Sequence, residues 1–379
     1  MAVQRKELSY RVIHGNALDV LARLPDASVD CIVSSPPYFA LRSYGVLPTI
    51  WGGDSGCEHE FDNDVCKKCG AWRGCLGLEP HFDLYIANLM AIFDEARRVL
   101  KPTGTCWVNI GDTFNSHTTT EEWARNINNK KFKDGVWRDP GRDSYFLANA
   151  EARSKAYPGK PPLNRYPDKC LFGIPFRFAL AMLEHGWVLR NTIIWHKSTP
   201  RPESVKDRFS VDFEYVFFFV VQSKGYYFEQ QLIPLKTSSL KRAEHTFSSE
   251  KSEFYGGLSM KKLRKWGEKV RNGELKGANM RCVWTVPTEP FHDAHFATFP
   301  KKLIEVPIRA GCPVHGVVLD PFAGSGTVGV VAAMQNKSAI LVEANADYCK
   351  IIKQRLLDEA KLHTHDMLVE RRLVCEGFE

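Results

Sequence analysis

The stretch Val317–Tyr348, VVLDPFAGSGTVGVVAAMQNKSAILVEANADY, limits the fold more than any other part of this 379-residue chain. In order, the stretch reads as a strand, a glycine-rich turn, a helix, a second strand and an acid. The turn from the first strand into the helix carries Gly324 and Gly326, which let a backbone bend tightly and approach a ligand closely. A strand–helix–strand unit of this kind belongs in an α/β sheet protein. Glu343 ends the second strand, near the roughly 20-residue spacing at which a carboxylate accepts ribose hydroxyls.

GSGTVG, Gly324–Gly329, also satisfies G-x-G-x-x-G, the dinucleotide fingerprint, which would license an NAD-dependent oxidoreductase. Asp320-Pro321-Phe322 ahead of the glycines is atypical of that fingerprint. An adenosyl ligand bound through its ribose is common to both readings.

The preceding chain fits the α/β class. YRVIHGNAL reads as a strand running into a Gly-Asn turn, LDVLARL has helical spacing, and CIVSS is the next strand, an alternation expected of a parallel sheet. FDLYIANLMAIFDEARRVLKPTG predicts a long amphipathic helix with Leu89, Phe93, Ala96 and Leu100 on one stripe, stopped by Lys101 and the Pro102–Gly104 turn. IPFRFALAMLEHGWVLRNTIIWHK predicts a helix, a glycine break and a strand, and FEYVFFFVVQS a central strand. Residues 115–167 are polar and turn-rich, as expected of a long functional insertion. No apolar run approaches the roughly 20 residues that cross a membrane. The first residues also lack the apolar core of a signal peptide, so a cytoplasmic protein with no membrane association is expected. The eleven cysteines are then thiols or metal ligands rather than disulfides.

DCIVSSPPYFALRSYG, Asp30–Gly45, places two prolines directly after a buried-strand pattern. Proline has a fixed φ and no N–H, so the strand must end there in a rigid turn. Together with the glycine loop, this turn resembles the β-class DNA amino-methyltransferases, which methylate N4 of cytosine or N6 of adenine. Ser35-Pro36-Pro37-Tyr38 matches that family's catalytic [S/D/N]-P-P-[Y/F/W] tetrapeptide, and Asp320–Gly326 resembles its S-adenosylmethionine (AdoMet) loop. HFATFPKKL resembles the helix before that loop. The order of catalytic motif, recognition region and AdoMet loop is the β-class order. Methyltransferases of RNA or of protein glutamine use a related N-P-P-Y turn with the AdoMet loop ahead of it.

The resemblance implies a Rossmann-like AdoMet-dependent methyltransferase fold, circularly permuted, with a recognition insertion. The implied organisation is a catalytic half over 1–235, a target-recognition segment over 236–285 and an AdoMet-binding half over 286–379. The implied reaction transfers a methyl group to an exocyclic amino group of a flipped base in double-stranded DNA. Such an amine is a poor nucleophile and must be oriented rather than attacked covalently. The Pro36 carbonyl and Ser35 hydroxyl can accept its two hydrogens, and Tyr38 can stack on the flipped base. Ser at the first position is commoner in the N4-cytosine subgroup and Asp in the N6-adenine subgroup, so cytosine N4 is favoured, with adenine N6 as the alternative. AdoMet is expected on Asp320, Phe322, Gly324, Gly326 and Glu343, with Asn16 and Lys301 as further candidates. Asn16 stands where the family commonly has Asp.

CEHEFDNDVCKKCGAW supplies Cys57, His59, Cys66 and Cys69, a complete tetrahedral set for a structural zinc in a small knuckle over 54–75. Lys236–Arg281 holds twelve Lys/Arg against five Asp/Glu, an excess equal to the whole formal charge of +7, as expected of a face toward a polyanion. Phe247, Phe254, Tyr255 and Trp266 interleave with these cations. A basic helix over SMKKLRKWGEKVRNGELKG would bring Lys261, Lys262, Arg264, Lys265 and Arg271 to DNA. A cognate restriction endonuclease is a candidate partner, and a monomer or homodimer is expected. A DNA-binding module without catalysis stays open beside the oxidoreductase reading.

Overall fold

A computed structural model describes residues 6–41, 45–115, 166–167, 169–200, 202–244, 254–255, 258–275, 277–289, 299–360 and 369–377. Most of the polar insertion, Phe247, and residues 295–298 of HFATFPKKL therefore lie outside the described residues.

Lys6–His14 forms β1, where Leu8, Tyr10 and Val12 alternate inward, the period of a strand with one buried face. Ala17–Leu21 is α1 and Val29–Ser34 is β2. Phe82–Val99 is α2, its amino end capped by the His81 ring accepting from Leu84 N at 3.1 Å. Tyr85, Leu89, Ile92, Phe93 and Ala96 bury one stripe of α2, while Arg97 and Arg98 occupy the last turn, where cations complement the helix dipole. Contrary to the predicted stripe, Leu100 lies outside the helix and opens β3, Leu100–Ile110. The Pro102–Gly104 segment does not end an element either: pairing with β2 runs Val29 to Leu100 and then Cys31 to Thr105. The proline, which cannot donate to the ladder, is thereby carried in a bulge.

Ile174–Glu184 is α3, Val188–His196 is β4 and Phe213–Val220 is β5. A second compact unit then spans Phe228–Cys282. It holds the helices Thr237–Glu244 (α4) and Met260–Arg271 (α5), and a two-stranded pairing of Leu232–Ile233 with Ala278–Asn279.

The first unit resumes with Val283–Thr285 as β6, Lys301–Gly311 as α6, Val317–Asp320 as β7 and Thr327–Met334 as α7. Ser338–Glu343 forms β8, Ala346–Asp358 forms α8 and Val369–Glu376 forms β9. The nine numbered strands make one sheet in the order β6-β4-β5-β3-β2-β7-β8-β1-β9. The expected parallel pairing holds for β3-β2-β7-β8-β1-β9 and for β6-β4, whereas β5 runs antiparallel to both β3 and β4. Its Phe217 and Phe219 pack with Phe178 of α3 and Trp187 in the core. β2 and β8 are buried along their whole length, as parallel strands covered on both faces must be.

The topology puts β7 between β2 and β8, although nearly 300 residues separate the two motifs in the chain. A small antiparallel sheet, ordered Thr49–Trp51, Trp72–Gly74, Val65–Cys66, Phe61–Asp62, follows the Pro-Pro turn. Its Trp51 and Trp72 belong to the main core, and Trp51 Nε1 donates to the Gly74 carbonyl at 3.0 Å. No helix among the described residues is long and apolar enough to cross a membrane.

Candidate functional site

Both motifs open on one cleft of about 1480 Å³ lined by Asn16, Ser35, Pro36, Pro37, Tyr38, Phe322, Gly324 and Glu343. The seam beneath it is a hydrogen bond across the sheet: Ser34 Oγ donates to Asp320 Oδ1 at 2.5 Å, and Phe322 N donates to the same oxygen at 3.0 Å. Asp320 is fully buried and does not line the cleft. It fastens the Pro-Pro strand to the glycine loop rather than facing the expected ligand. Burial pushes its carboxyl up to about 7, against the pull of the Ser34 and Phe322 bonds.

Gly324 has φ +53°, and a Cβ there would meet nothing nearer than 4.0 Å, so the cleft wall is bare backbone at this point. Glu343 Oε2 accepts from Gly324 N at 2.8 Å and Oε1 from Asn345 N at 2.8 Å, leaving lone pairs for hydroxyl donors. Gly326 is also left-handed, φ +81°, but it turns away from the cleft. Its missing Cβ would stand 2.9 Å from Ile352, so glycine here serves packing against α8. Lys301 does not line the cleft either, because its Nζ is paired with Glu359 at 2.7 Å. Glu359 also holds Arg355, whose Nη1 donates to Ser325 O at 2.8 Å and Ser325 Oγ at 2.9 Å. Lys301 thus belongs to a brace behind the loop. Sequence reading missed Arg355, an ordinary surface-helix cation by its pattern. Asn16 caps α1 by accepting from Leu18 N at 2.8 Å and donates to Thr49 Oγ1 at 3.3 Å.

Burial also pushes the Glu343 carboxyl up to about 7, its three backbone N–H donors opposing. The unfolded carboxyl ionises near 4.5, so its contribution to stability is fully present below that pH and lost as pH rises through about 7. Glu343→Gln should therefore flatten the pH dependence of chemical denaturation, gaining about 2–3 kcal/mol on wild type between pH 5 and pH 8. An equal fall in both proteins would remove Glu343 from this account.

At the Pro-Pro turn, Tyr85 Oη donates to the Pro37 carbonyl at 2.7 Å and Ala40 N to the Gly77 carbonyl at 2.7 Å. The Tyr38 ring lies so close to Gly111 that a Cβ there would be 2.6 Å from it. Among the described residues no group donates to the Pro36 carbonyl, which is left for an outside donor. Three residues that no motif marks join the turn. Tyr38 Oη donates to Glu214 Oε2 at 2.6 Å, Asn109 Nδ2 donates to that same oxygen at 3.0 Å, and Lys197 Nζ pairs with Glu214 Oε1 at 2.5 Å. Two hydrogen-bond acceptors, an aromatic face and a ribose-competent carboxylate in one cleft suit an amine brought beside a nucleoside ligand.

The side-chain ligand atoms of Cys57, His59, Cys66 and Cys69 all lie within 4.8 Å of one another. Cys57 Sγ is 3.9 Å from Cys66 Sγ, and Cys69 Sγ 3.3 Å from His59 Nδ1. Tetrahedral zinc bonds would set such separations at about 3.8 and about 3.6 Å, so the residues fit the metal. Burial would push the Cys66 thiol up, but the N–H groups of Cys69 and Lys68 and the His59 ring hold it down at about 5. Cys75 is no ligand: its Sγ reaches the Val46 carbonyl at 3.4 Å.

On α5, Lys262, Arg264, Lys265 and Arg271 are exposed, and Arg271 also donates to the Ala243 carbonyl. The Lys261 side chain and those of Phe254 and Tyr255 lie outside the described residues.

The profile of the N6/N4 methyltransferase family, described as DNA methylase, matches residues 29–354. The type II methyltransferase M.Cfr9I of Citrobacter freundii is 34% identical over 92% of this chain and 88% of its own. M.SmaI of Serratia marcescens is 31% identical over 92% and 91%. Among solved structures, the cytosine-N4-specific PvuII DNA methyltransferase superposes with a TM-score of 0.51 at 16% identity, over 93% of this chain and 88% of that one. The putative DNA modification methylase TTHA0409 of Thermus thermophilus, complexed with S-adenosyl-L-methionine, gives 0.51 at 19% identity, over 98% and 100%. This likeness replaces the nicotinamide oxidoreductase reading of the glycine loop, and the chain belongs to the N6/N4 DNA methylase family.

Proposed function

We propose that this protein transfers a methyl group from AdoMet to N4 of a cytosine flipped out of duplex DNA. The observation that carries the reading is the shared cleft, lined together by Pro36 with its free carbonyl, Ser35, Gly324 and Glu343. Bound AdoMet supplies an electrophilic methyl group. Glu343, the bare backbone at Gly324 and Phe322 are the residues to hold it, and Asn16 stands close enough to contact the same ligand from α1. Pro36 and Ser35 accept the amino hydrogens and turn the nitrogen lone pair toward the donor, while the Tyr38 ring stacks on the base. No strong base is needed for orientation of this kind. Ser35 as first residue of the turn, a hydroxyl rather than a carboxylate, supports cytosine over adenine.

The chain order of the motifs, with the Pro-Pro strand first and the glycine loop last around adjacent strands, supports a circularly permuted methyltransferase sheet. The unit Phe228–Cys282, with its cationic α5, is the target-recognition segment in this reading, contacting phosphates for affinity and few bases for specificity. The Cys57/His59/Cys66/Cys69 cluster holds a structural zinc. The type II names of the relatives support a cognate restriction endonuclease as companion.

Expression in a methylation-free host, followed by mass spectrometry of the digested genomic DNA, tests the assignment. We expect N4-methylcytosine. N6-methyladenine in its place would overturn the choice of base, and neither product would favour a DNA-binding module without catalysis.

A further inference from the structure

Tyr38 is gripped by residues that arrive from three other strands. Glu214 lies on β5, Asn109 on β3, and Lys197 just after β4. All three line the cleft with Ser35 and Tyr38. The Glu214–Lys197 pair is mostly shielded, with side chains 17% and 20% exposed, and Lys197 Nζ sits 5.0 Å from the centre of the Trp195 ring. Ser35 Oγ stands 3.4 Å from Tyr38 Oη.

Hydrogen positions along this chain follow from what each group can offer. A carboxylate in an ion pair has lone pairs only, so the hydrogen in the 2.6 Å Tyr38–Glu214 contact belongs to the phenol. Asn109 Oδ1, at 3.1 Å, competes for it over a longer distance, while Asn109 Nδ2 is committed to Glu214 and to the Tyr215 carbonyl, both at 3.0 Å. With its hydrogen spent, the Tyr38 oxygen meets Ser35 as an acceptor. Ser35 then donates to Tyr38 and turns lone pairs toward the cleft.

We propose that Glu214, held by Lys197 and Asn109, is a positioning residue that sets the direction of a Ser35–Tyr38–Glu214 hydrogen-bond relay, so that Ser35 meets the target amino group as an acceptor. The proposal rests on the methyltransferase reading above. A serine has one hydrogen and can present either it or a lone pair to a substrate. Facing an amino group with its hydrogen would set donor against donor. The anionic end of the relay removes that choice, and a glutamine there would restore it by bringing its own N–H.

Single-turnover methyl transfer at saturating AdoMet and DNA, with AdoMet affinity measured separately, tests the relay in wild type, Glu214→Gln, Tyr38→Phe and the double variant. Each single change should slow transfer about 10–100-fold, the loss of one charge-assisted hydrogen bond, with AdoMet affinity within about twofold. The double variant should be no slower than the slower single, because both break one chain. Wild-type rates in either single variant, or losses that multiply in the double, would overturn the proposal; Tyr38→Phe keeps the ring and decides the matter if Glu214→Gln does not fold. A wild-type protein that transfers no methyl group to any base would overturn the underlying reading, and the relay with it.

Discussion

Ser35→Ala is expected to slow methyl transfer about 10²–10³-fold, the usual cost of removing one preorganised partner of the reacting group. The change deletes a single oxygen in a turn whose shape is held elsewhere. Tyr85 ties the Pro37 carbonyl, Ala40 ties Gly77, and Ser34 ties Asp320. Melting temperature and AdoMet affinity should therefore stay near wild type while the single-turnover rate collapses. Pro36 still offers its carbonyl, so one of the two amino hydrogens keeps an acceptor and a residual rate is expected. A Ser35→Ala protein methylating DNA at the wild-type rate would sink the orientation mechanism.

The second large effect concerns the Cys57/His59/Cys66/Cys69 cluster. Structural zinc contributes on the order of 10 kcal/mol to folding where small domains depend on it. The sheet formed by residues 49–51, 61–62, 65–66 and 72–74 is too small to be stable by its own core. Its inner face, Trp51 and Trp72, belongs to the main core, and the chain just beyond it reaches the Pro-Pro turn. A Cβ on Gly77 would lie 3.1 Å from the Tyr38 carbonyl, and Glu79 Oε2 accepts from Gly77 N at 2.8 Å. We therefore expect one equivalent of zinc by elemental analysis, lost in a Cys57→Ser/Cys69→Ser double variant. With it should go protease resistance over 54–75, several degrees of melting temperature and most of the methyl-transfer activity. Absence of metal, with melting and activity indifferent to a strong chelator, would dismiss the zinc.

Local backbone chemistry was readable directly. Pro36 and Pro37 end β2 because proline cannot stay in a ladder, and Gly324 and Gly326 adopt left-handed angles that other residues resist. The same holds for the ligand spacing of Cys57, His59, Cys66 and Cys69, since a hairpin brings near neighbours together without help from the rest of the fold. Helix α2 was legible from its stripe, but its end was not. Leu100 fits a helical period equally well, and pairing with Val29 of β2 draws it into β3.

Pairing and burial decided what no short window contains. Asp320 looked like a ligand residue; the strand order sets it against Ser34, 286 positions away, and buries it as a fastener. Lys301 looked like a cofactor contact; Glu359 draws its ammonium behind the loop. Glu214 and Asn109 carry no signature at all, since they meet Tyr38 from 176 and 71 residues away. The two turns and their order were written into the chain, because they depend on torsions that particular residues allow or forbid. Which side chains surround those turns was settled by folding, because an antiparallel β5 placed beside β3 delivers Glu214 to Tyr38, and strand neighbours are chosen by the whole core.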